Sequence, residues 1–281
     1  MPRFDGRVVF ITGGARGQGR EHAVHFARAG ADVVLVDVPE QVESVPYPLG
    51  TCGDLHETVA LVEKQGRRAL AIEADVRRSN QMRAAVEQAI DEFGAVDILV
   101  ANAGIVTYRH LSEMDDQMWQ DTIDVNLTGV ANTVRAVLGH MLEQRYGRIV
   151  VTSSQAGRRG VPNLAHYSAS KWGLIGLVKS VALVALEVAP ALGITCNAVL
   201  PGGVDTPMMH HDEVYAVFAP DVPAPTRADL EERLGRLNPM PITWIEPSDI
   251  SHAVLHLASE EARYVSGATI DVAAAFNANN S

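Results

Sequence analysis

Cysteine is scarce in this chain: Cys52 and Cys196 are the only two among 281 residues. So few thiols exclude a disulfide scaffold and point to a reducing compartment, the cytoplasm. Positive charge is short as well. Twenty-three Lys and Arg face 34 Asp and Glu, for a formal net charge of −11. A surface of that sign does not suit nucleic acid or an anionic membrane as the main partner. Long unbroken apolar runs are also missing. The longest apolar stretch, around residues 174–191, is interrupted by Lys179 and Glu187 and reads as a buried helix, so no segment is expected to span a membrane. The start, Met1 to Arg7, reaches the first apolar run without a signal-peptide pattern.

What is present is alternation. Short β-branched runs at Arg7–Thr12, Asp32–Asp37, Ala69–Ala74, Val96–Ala101, Arg148–Thr152, Ile194–Val199 and Ala268–Asp271 read as strands. Helical patterns lie between them, at 17–29, 55–65, 79–93, 113–144, 167–189 and 248–258. Strands that are apolar throughout belong in a sheet covered on both faces. The alternation predicts an α/β fold, a doubly wound parallel sheet with helices on both faces and a ligand crevice at the carboxyl ends of the strands. Two stretches read as insertions: 38–54, with three prolines and two glycines, and 203–247, with a helical piece near 227–237. Neither separates two cores, so residues 1–281 are read as a single domain.

The first strand runs into Thr12-Gly-Gly-Ala-Arg-Gly-Gln-Gly-Arg20. Gly13, Gly17 and Gly19 let backbone turn tightly and approach a pyrophosphate, and the helix that follows offers free N–H groups to it. The plain alternative is a glycine-rich turn without a ligand. The second strand ends at Asp37. A carboxylate there can accept from an adenosine ribose 2′-hydroxyl and would repel a 2′-phosphate, which favours NAD over NADP. It could equally be an ordinary turn aspartate.

Tyr167 and Lys171 stand four residues apart, one turn of a helix. A phenol and an ammonium side by side can make a usable base. Bringing a tyrosine from about 10 to near 7 takes roughly 4 kcal/mol, and a cation about 6 Å away supplies roughly 3 kcal/mol at an effective dielectric near 20. A second positive charge would complete the shift. By itself the pair is a common helix spacing.

Taken together and in order, these residues resemble the short-chain dehydrogenase/reductase family over nearly the whole chain. The resemblance is carried by the Thr12–Gly19 loop, Asp75-Val76, Asn102-Ala103-Gly104, Asn126, Ser154, Tyr167, Lys171, and Pro201-Gly202 followed by Thr206. The Gly17-Gln-Gly-Arg20 form of the loop and the insertion after Asp37 are most similar to the carveol-dehydrogenase-like, mycofactocin-associated group. The resemblance implies a seven-stranded Rossmann sheet in the order 3-2-1-4-5-6-7, a homotetramer, tightly held NAD, and mycofactocin as electron acceptor.

It also implies roles. Tyr167 is the general acid/base, Lys171 binds the nicotinamide ribose, Ser154 binds the substrate oxygen, and Asn126 helps hold a proton-relay water. Asp75 and Val76 meet adenine, and Asn102, Ala103 and Gly104 pass beneath the adenosine ribose. Pro201 and Gly202 lead to Val204 and Thr206, which reach the nicotinamide carboxamide. Arg16 and Gln18 lie in the phosphate loop, facing either the cofactor or solvent. Asn126 alone would be a structural polar residue.

The expected activity is hydride transfer between a secondary alcohol and NAD. Met208, Met209, Val217 and Phe218 are candidates for an apolar pocket wall, or for packing of their own loop. An apolar alcohol, cyclic and terpenoid in kind, is the substrate they suggest. An NADP-dependent ketoreductase and a non-catalytic dinucleotide sensor are the alternatives. His252 with His256, and His210 with His211, lack a third ligand at metal spacing, so no metal is expected.

Overall fold

A computed structural model describes residues 3–38, 40–188 and 193–278. Seven strands form one parallel sheet in the order β3-β2-β1-β4-β5-β6-β7. They are β1 Val8–Thr12, β2 Asp32–Asp37, β3 Ala69–Glu73, β4 Ile98–Ala101, β5 Gly147–Thr152, β6 Ile194–Pro201 and β7 Thr269–Val272. The expected order is the observed one. It reverses between β1 and β4, where Thr12 lies between Val36 and Ala101. Loops leaving those two strands diverge to opposite faces and open a crevice.

Alternation along each strand fills both faces. Phe10, Val34, Leu99 and Ile149 point to one side. There they meet helices α3 (Ser79–Phe93), α5 (Val130–Gln144) and α6 (Ala165–Val188). Ile11, Leu35, Ile98 and Val150 point to the other, against α1 (Gly17–Arg28), α2 (Cys52–Glu63) and α9 (Pro247–Ala258). Period-two strands buried on both faces are what a parallel sheet requires.

Three expectations need correction, and a fourth feature bears on the reading of the long apolar helix. The helix expected from residue 55 starts at Cys52, because Thr51 and Asp54 form a reciprocal capping box. The irregular insertion is therefore shorter than 38–54. The helical pattern at 113–144 is not one α-helix. It is α4 (Asp116–Ile123), a π-helical segment (Asp124–Gly129) and α5 in succession. Such a widened turn is rare and clusters at functional sites. The 203–247 segment holds α7 (Asp212–Phe218), which the sequence did not signal, as well as the expected α8 (Arg227–Leu237). Finally, Ala165–Ala185 is long and apolar enough to cross a membrane by length and composition alone. In the fold it is a core helix, with Leu174, Val178 and Ala182 buried. The expected end of that helix, residue 189, lies outside the described residues.

Candidate active site

The phosphate loop is shaped by contacts that leave no room for side chains. Gly13 and Gly17 have φ of +69° and +55°, a region costly for other residues. A Cβ on Gly19 would sit 1.9 Å from the Gly13 carbonyl oxygen. Gly19 is thus a packing residue beneath the loop and does not line the cleft as Gly13 and Gly17 do. Helix α1 begins with no side-chain cap and no acidic residue in its first turn. Its N–H groups and positive dipole end remain available to an anion. The side-chain oxygen of Gln18 is buried without a partner, and Arg16 donates to the Pro48 carbonyl. Neither residue simply faces solvent.

Strand ends are tied to one another around this loop. Thr12 Oγ1 accepts from the backbone N–H groups of Asn102 (3.1 Å) and Ala103 (3.2 Å). Asn102 Nδ2 donates to the Thr12 carbonyl at 3.2 Å. Asp37 Oδ2 accepts from Ala15 N–H and Oδ1 from Val38 N–H, both at 2.9 Å. Burial pushes the Asp37 carboxyl up from its ordinary range, and these two N–H donors pull it back. Asp75, expected to meet adenine, is held by Arg77, whose Nε lies 2.8 Å from Oδ2. Asp75 and Val76 line the cleft beside Asp37 all the same. Gly129 of the π-helical segment packs under this corner, since a Cβ there would lie 2.6 Å from Val76 Cγ2.

The other half of the cleft gathers the polar set on β5 and α6. Ser154 follows β5 and is 8% exposed. Its Oγ accepts from Ala156 N–H at 3.1 Å and stands near enough to the Tyr167 phenol to favour its ionised form. Ser153 points away, donating to the Lys171 carbonyl at 2.9 Å. Lys171 is 3% exposed. Its Nζ donates to the Thr152 carbonyl at 2.9 Å and stands 5.5 Å from the centre of the Tyr167 ring.

Electrostatics here differ from the estimate made on spacing alone. Burial raises the Tyr167 phenol, and the neighbouring Ser154 hydroxyl opposes that rise. Burial also lowers the Lys171 ammonium from 10.5 to about 8. Desolvation penalises both charged forms and outweighs their pairing. The chain alone therefore holds Tyr167 protonated, and positive charge from a bound partner is needed to make it a base.

Asn126 is fully buried in the π-helical segment and does not line the cleft. Its Oδ1 accepts from Ile105 N–H (2.8 Å), and its Nδ2 donates to the Ile105 carbonyl (2.9 Å) and Ser170 Oγ (3.4 Å). The amide braces the segment after β4. One lone pair of Oδ1 is left, so the water that the resemblance implied would have to donate to that oxygen if the side chain held it. Gly104 passes between Asn126 and Lys171: a Cβ there would be 3.3 Å from Asn126 Oδ1 and 3.5 Å from Lys171 Nζ.

Pro201, Gly202, Val204 and Thr206 line the same cleft. A Cβ on Gly17 would lie 3.5 Å from Thr206 Cγ2, so the loop after β6 closes over the start of α1. Met208, Met209 and Phe218 also line the cleft, but Val217 does not. Of the histidines weighed for metal, His210 pairs with Asp205, and the His211 ring stacks on Tyr47 at 4.7 Å. His252 stands 5.2 Å from the His25 ring.

Sequence reasoning missed two cleft residues of consequence. Tyr47, between Pro46 and Pro48 of the insertion, reaches across the crevice, and its Oη accepts from Val106 N–H at 3.1 Å. Tyr108 is buried in the wall after β4. Neither has a spacing partner, although an aromatic inside a proline-rich loop was a usable hint.

The glycine cradle, the uncapped N-terminus of α1, the orphaned Gln18 oxygen and Asp37 at the second strand end fit a dinucleotide. Comparisons with known proteins agree with that fit. The family described as short chain dehydrogenase matches residues 7–214. A (−)-trans-carveol dehydrogenase of Rhodococcus erythropolis is 46% identical over 274 residues, 97% of this chain and 98% of that protein. The crystal structure of a carveol dehydrogenase from Mycobacterium avium in complex with NAD is 42% identical, with a TM-score of 0.95. That match covers 99% of this chain and 100% of the other. A short chain dehydrogenase from Mycobacterium paratuberculosis bound to NAD is 37% identical with a TM-score of 0.87, covering 97% and 98% of the two chains.

Proposed function

The chain belongs to the short-chain dehydrogenase family, and from that premise we propose an NAD-dependent dehydrogenase that oxidises an apolar, cyclic secondary alcohol of terpenoid kind. The observation that carries the reading is that Ser154, Tyr167 and Lys171 line the same cleft as Asp37. An acid/base pair and a ribose-reading carboxylate then share one cavity.

When bound, NAD supplies the hydride acceptor and a positively charged ring. The remaining work falls to side chains. Ser154 donates to the substrate oxygen and orients it. Tyr167 removes the hydroxyl proton as hydride leaves the carbinol carbon. Lys171, about 5.5 Å from the phenol ring, contributes roughly 3 kcal/mol to the phenolate at an effective dielectric near 20. Burial opposes the phenolate, and the positive ring of bound NAD would add to what Lys171 supplies. Asn126 acts through Ile105, fixing the backbone beside Gly104.

The negative charge of Asp37 disfavours a 2′-phosphate, which supports NAD over NADP. The relatives' carveol activity and the apolar wall of Met208, Met209 and Phe218 support the terpenoid assignment. Mycofactocin as electron acceptor is carried over from the resemblance; an insertion tied across the cofactor cleft supports it. A homotetramer is supported by Trp119, Trp172, Leu183 and Val184, large apolar side chains left exposed on α4 and α6. Two unpaired thiols suit the cytoplasm.

Tyr167→Phe tests the reading. Alcohol oxidation should fall at least about 10³-fold, while NAD, identified by mass spectrometry after denaturation, is still retained. Oxidation that survives the substitution, or faster turnover with NADP, would refute it.

A further inference from the structure

Tyr108 lies on the segment after β4 and is 8% exposed. It belongs to one apolar cluster with Val106, Val161, Leu164, Met209 and Phe218, all of which line the cleft. The contact its hydroxyl makes is to the Met209 sulfur, at 4.0 Å. A thioether is a weak acceptor, and that distance is the outer limit of such a bond. Buried phenols ordinarily find a better partner. Tyr108 is therefore a good donor matched with a poor acceptor, in the wall of a cavity built to take a ligand.

Its position is close to the chemistry. Burial raises the Tyr108 phenol first, and charge at Tyr167 and Tyr47 raises it further. The hydroxyl thus stays neutral and protonated throughout the working pH range. The reacting oxygen of the substrate already has Ser154 and Tyr167. A partner for Tyr108 must be a different atom, and it must accept.

We propose that Tyr108 is a specificity-determining residue that donates a hydrogen bond to a second oxygen of the substrate, carried on the ring away from the carbinol carbon. The substrate class is a cyclic secondary alcohol with a carbonyl, ether or hydroxyl elsewhere on its skeleton. This rests on the alcohol-dehydrogenase reading above. A neutral hydrogen bond is modest, and a donor stranded beside a hydrocarbon adds discrimination, so a preference of about tenfold is expected.

The test is kcat/KM, with an artificial electron acceptor present to reoxidise held NADH, for two matched alcohols, 4-hydroxycyclohexanone and cyclohexanol, in the wild type and in Tyr108→Phe. The wild type should favour the oxo-alcohol by about tenfold. In the variant the ratio of the two should fall to about one, chiefly through KM. Taking the ratio within each protein cancels the intrinsic reactivities once the two ratios are compared. Equal ratios in both proteins overturn the proposal and leave the dehydrogenase reading standing. Failure of the wild type to reduce NAD with either alcohol overturns both.

Discussion

Lys171 shows how a single residue can be costly to the fold and useful to the site. Its ammonium is 3% exposed and has one hydrogen-bond acceptor, the Thr152 carbonyl. Burial lowers it from 10.5 to about 8, which corresponds to roughly 3 kcal/mol against the charged folded state. The sign follows from proton uptake. Between pH 8 and 10.5 the unfolded chain binds the proton more tightly, so stability rises with pH there. Below about 8 the penalty is complete; above 10.5 it is gone. Lys171→Met in the cofactor-free protein should therefore be more stable at pH 7, by about 1–2 kcal/mol after the lost bond to Thr152 is counted. Urea unfolding at pH 7 and pH 10.5 checks this: the gain should shrink as pH rises. A variant less stable than the wild type at pH 7 contradicts the account. Spacing alone made Tyr167 and Lys171 legible. It could not tell the direction of their titration, which burial decides and sequence does not display.

Helices and strands were legible where a period repeats, and least so where a single side chain sets the shape. The seven strands and their order followed from apolar runs and resemblance. The π-helical break at Asp124–Gly129 did not, because apolar spacing continues through it and its cause is local: Gly129 against Val76, and Asn126 against Ile105. The insertion after β2 is a similar case. Its prolines forecast irregular chain but not its staple. Gln41 Nε2 donates to the carbonyls of Val42 (3.3 Å), Val45 (3.0 Å) and Tyr47 (3.0 Å), and its Oε1 accepts from Leu49 N–H (3.0 Å). Those partners are backbone, invisible to any motif. Ser44 donating to Asp121 and Tyr47 accepting from Val106 N–H then pin the insertion across the cleft. Removing the staple should loosen the whole element. Gln41→Ala is expected to release bound NAD about tenfold faster or more, since the two amide hydrogens, shared among three carbonyls, and the one acceptor bond, each worth about 1 kcal/mol, organise the loop. Stopped-flow displacement of the cofactor measures it. Unchanged release would mean the insertion is held by its ends alone.

At the scale of the molecule, the sheet keeps chemistry and structural support at opposite ends of its strands. β5 makes this plain. Thr152, its last residue, gives its carbonyl to Lys171. Arg148, near its start, is 1% exposed. Its guanidinium donates to the carbonyls of Gly147 and Gly193 and meets Glu260 at 3.3 Å, with the Tyr146 ring 4.7 Å below. Four residues of strand separate the two positions by about 13 Å, and no charged side chain of one group touches the other. Arg148 is the largest of the fully buried side chains. Its truncation leaves a cavity and takes a charged donor from two carbonyls, of which Gly193 keeps the Gly147 N–H, two terms that together cost about 3 kcal/mol. Glu260 is exposed enough to return to water. Arg148→Ala should then lower the unfolding midpoint markedly while kcat and the KM for NAD stay within about twofold, because the Arg148 partners lie at the start of the strand, away from the Lys171 contact at its end. Thermal unfolding and steady-state kinetics on one preparation test both halves. A large loss of kcat in protein that is still folded would show that the strand's two ends are coupled, and that the division of labour drawn here is wrong.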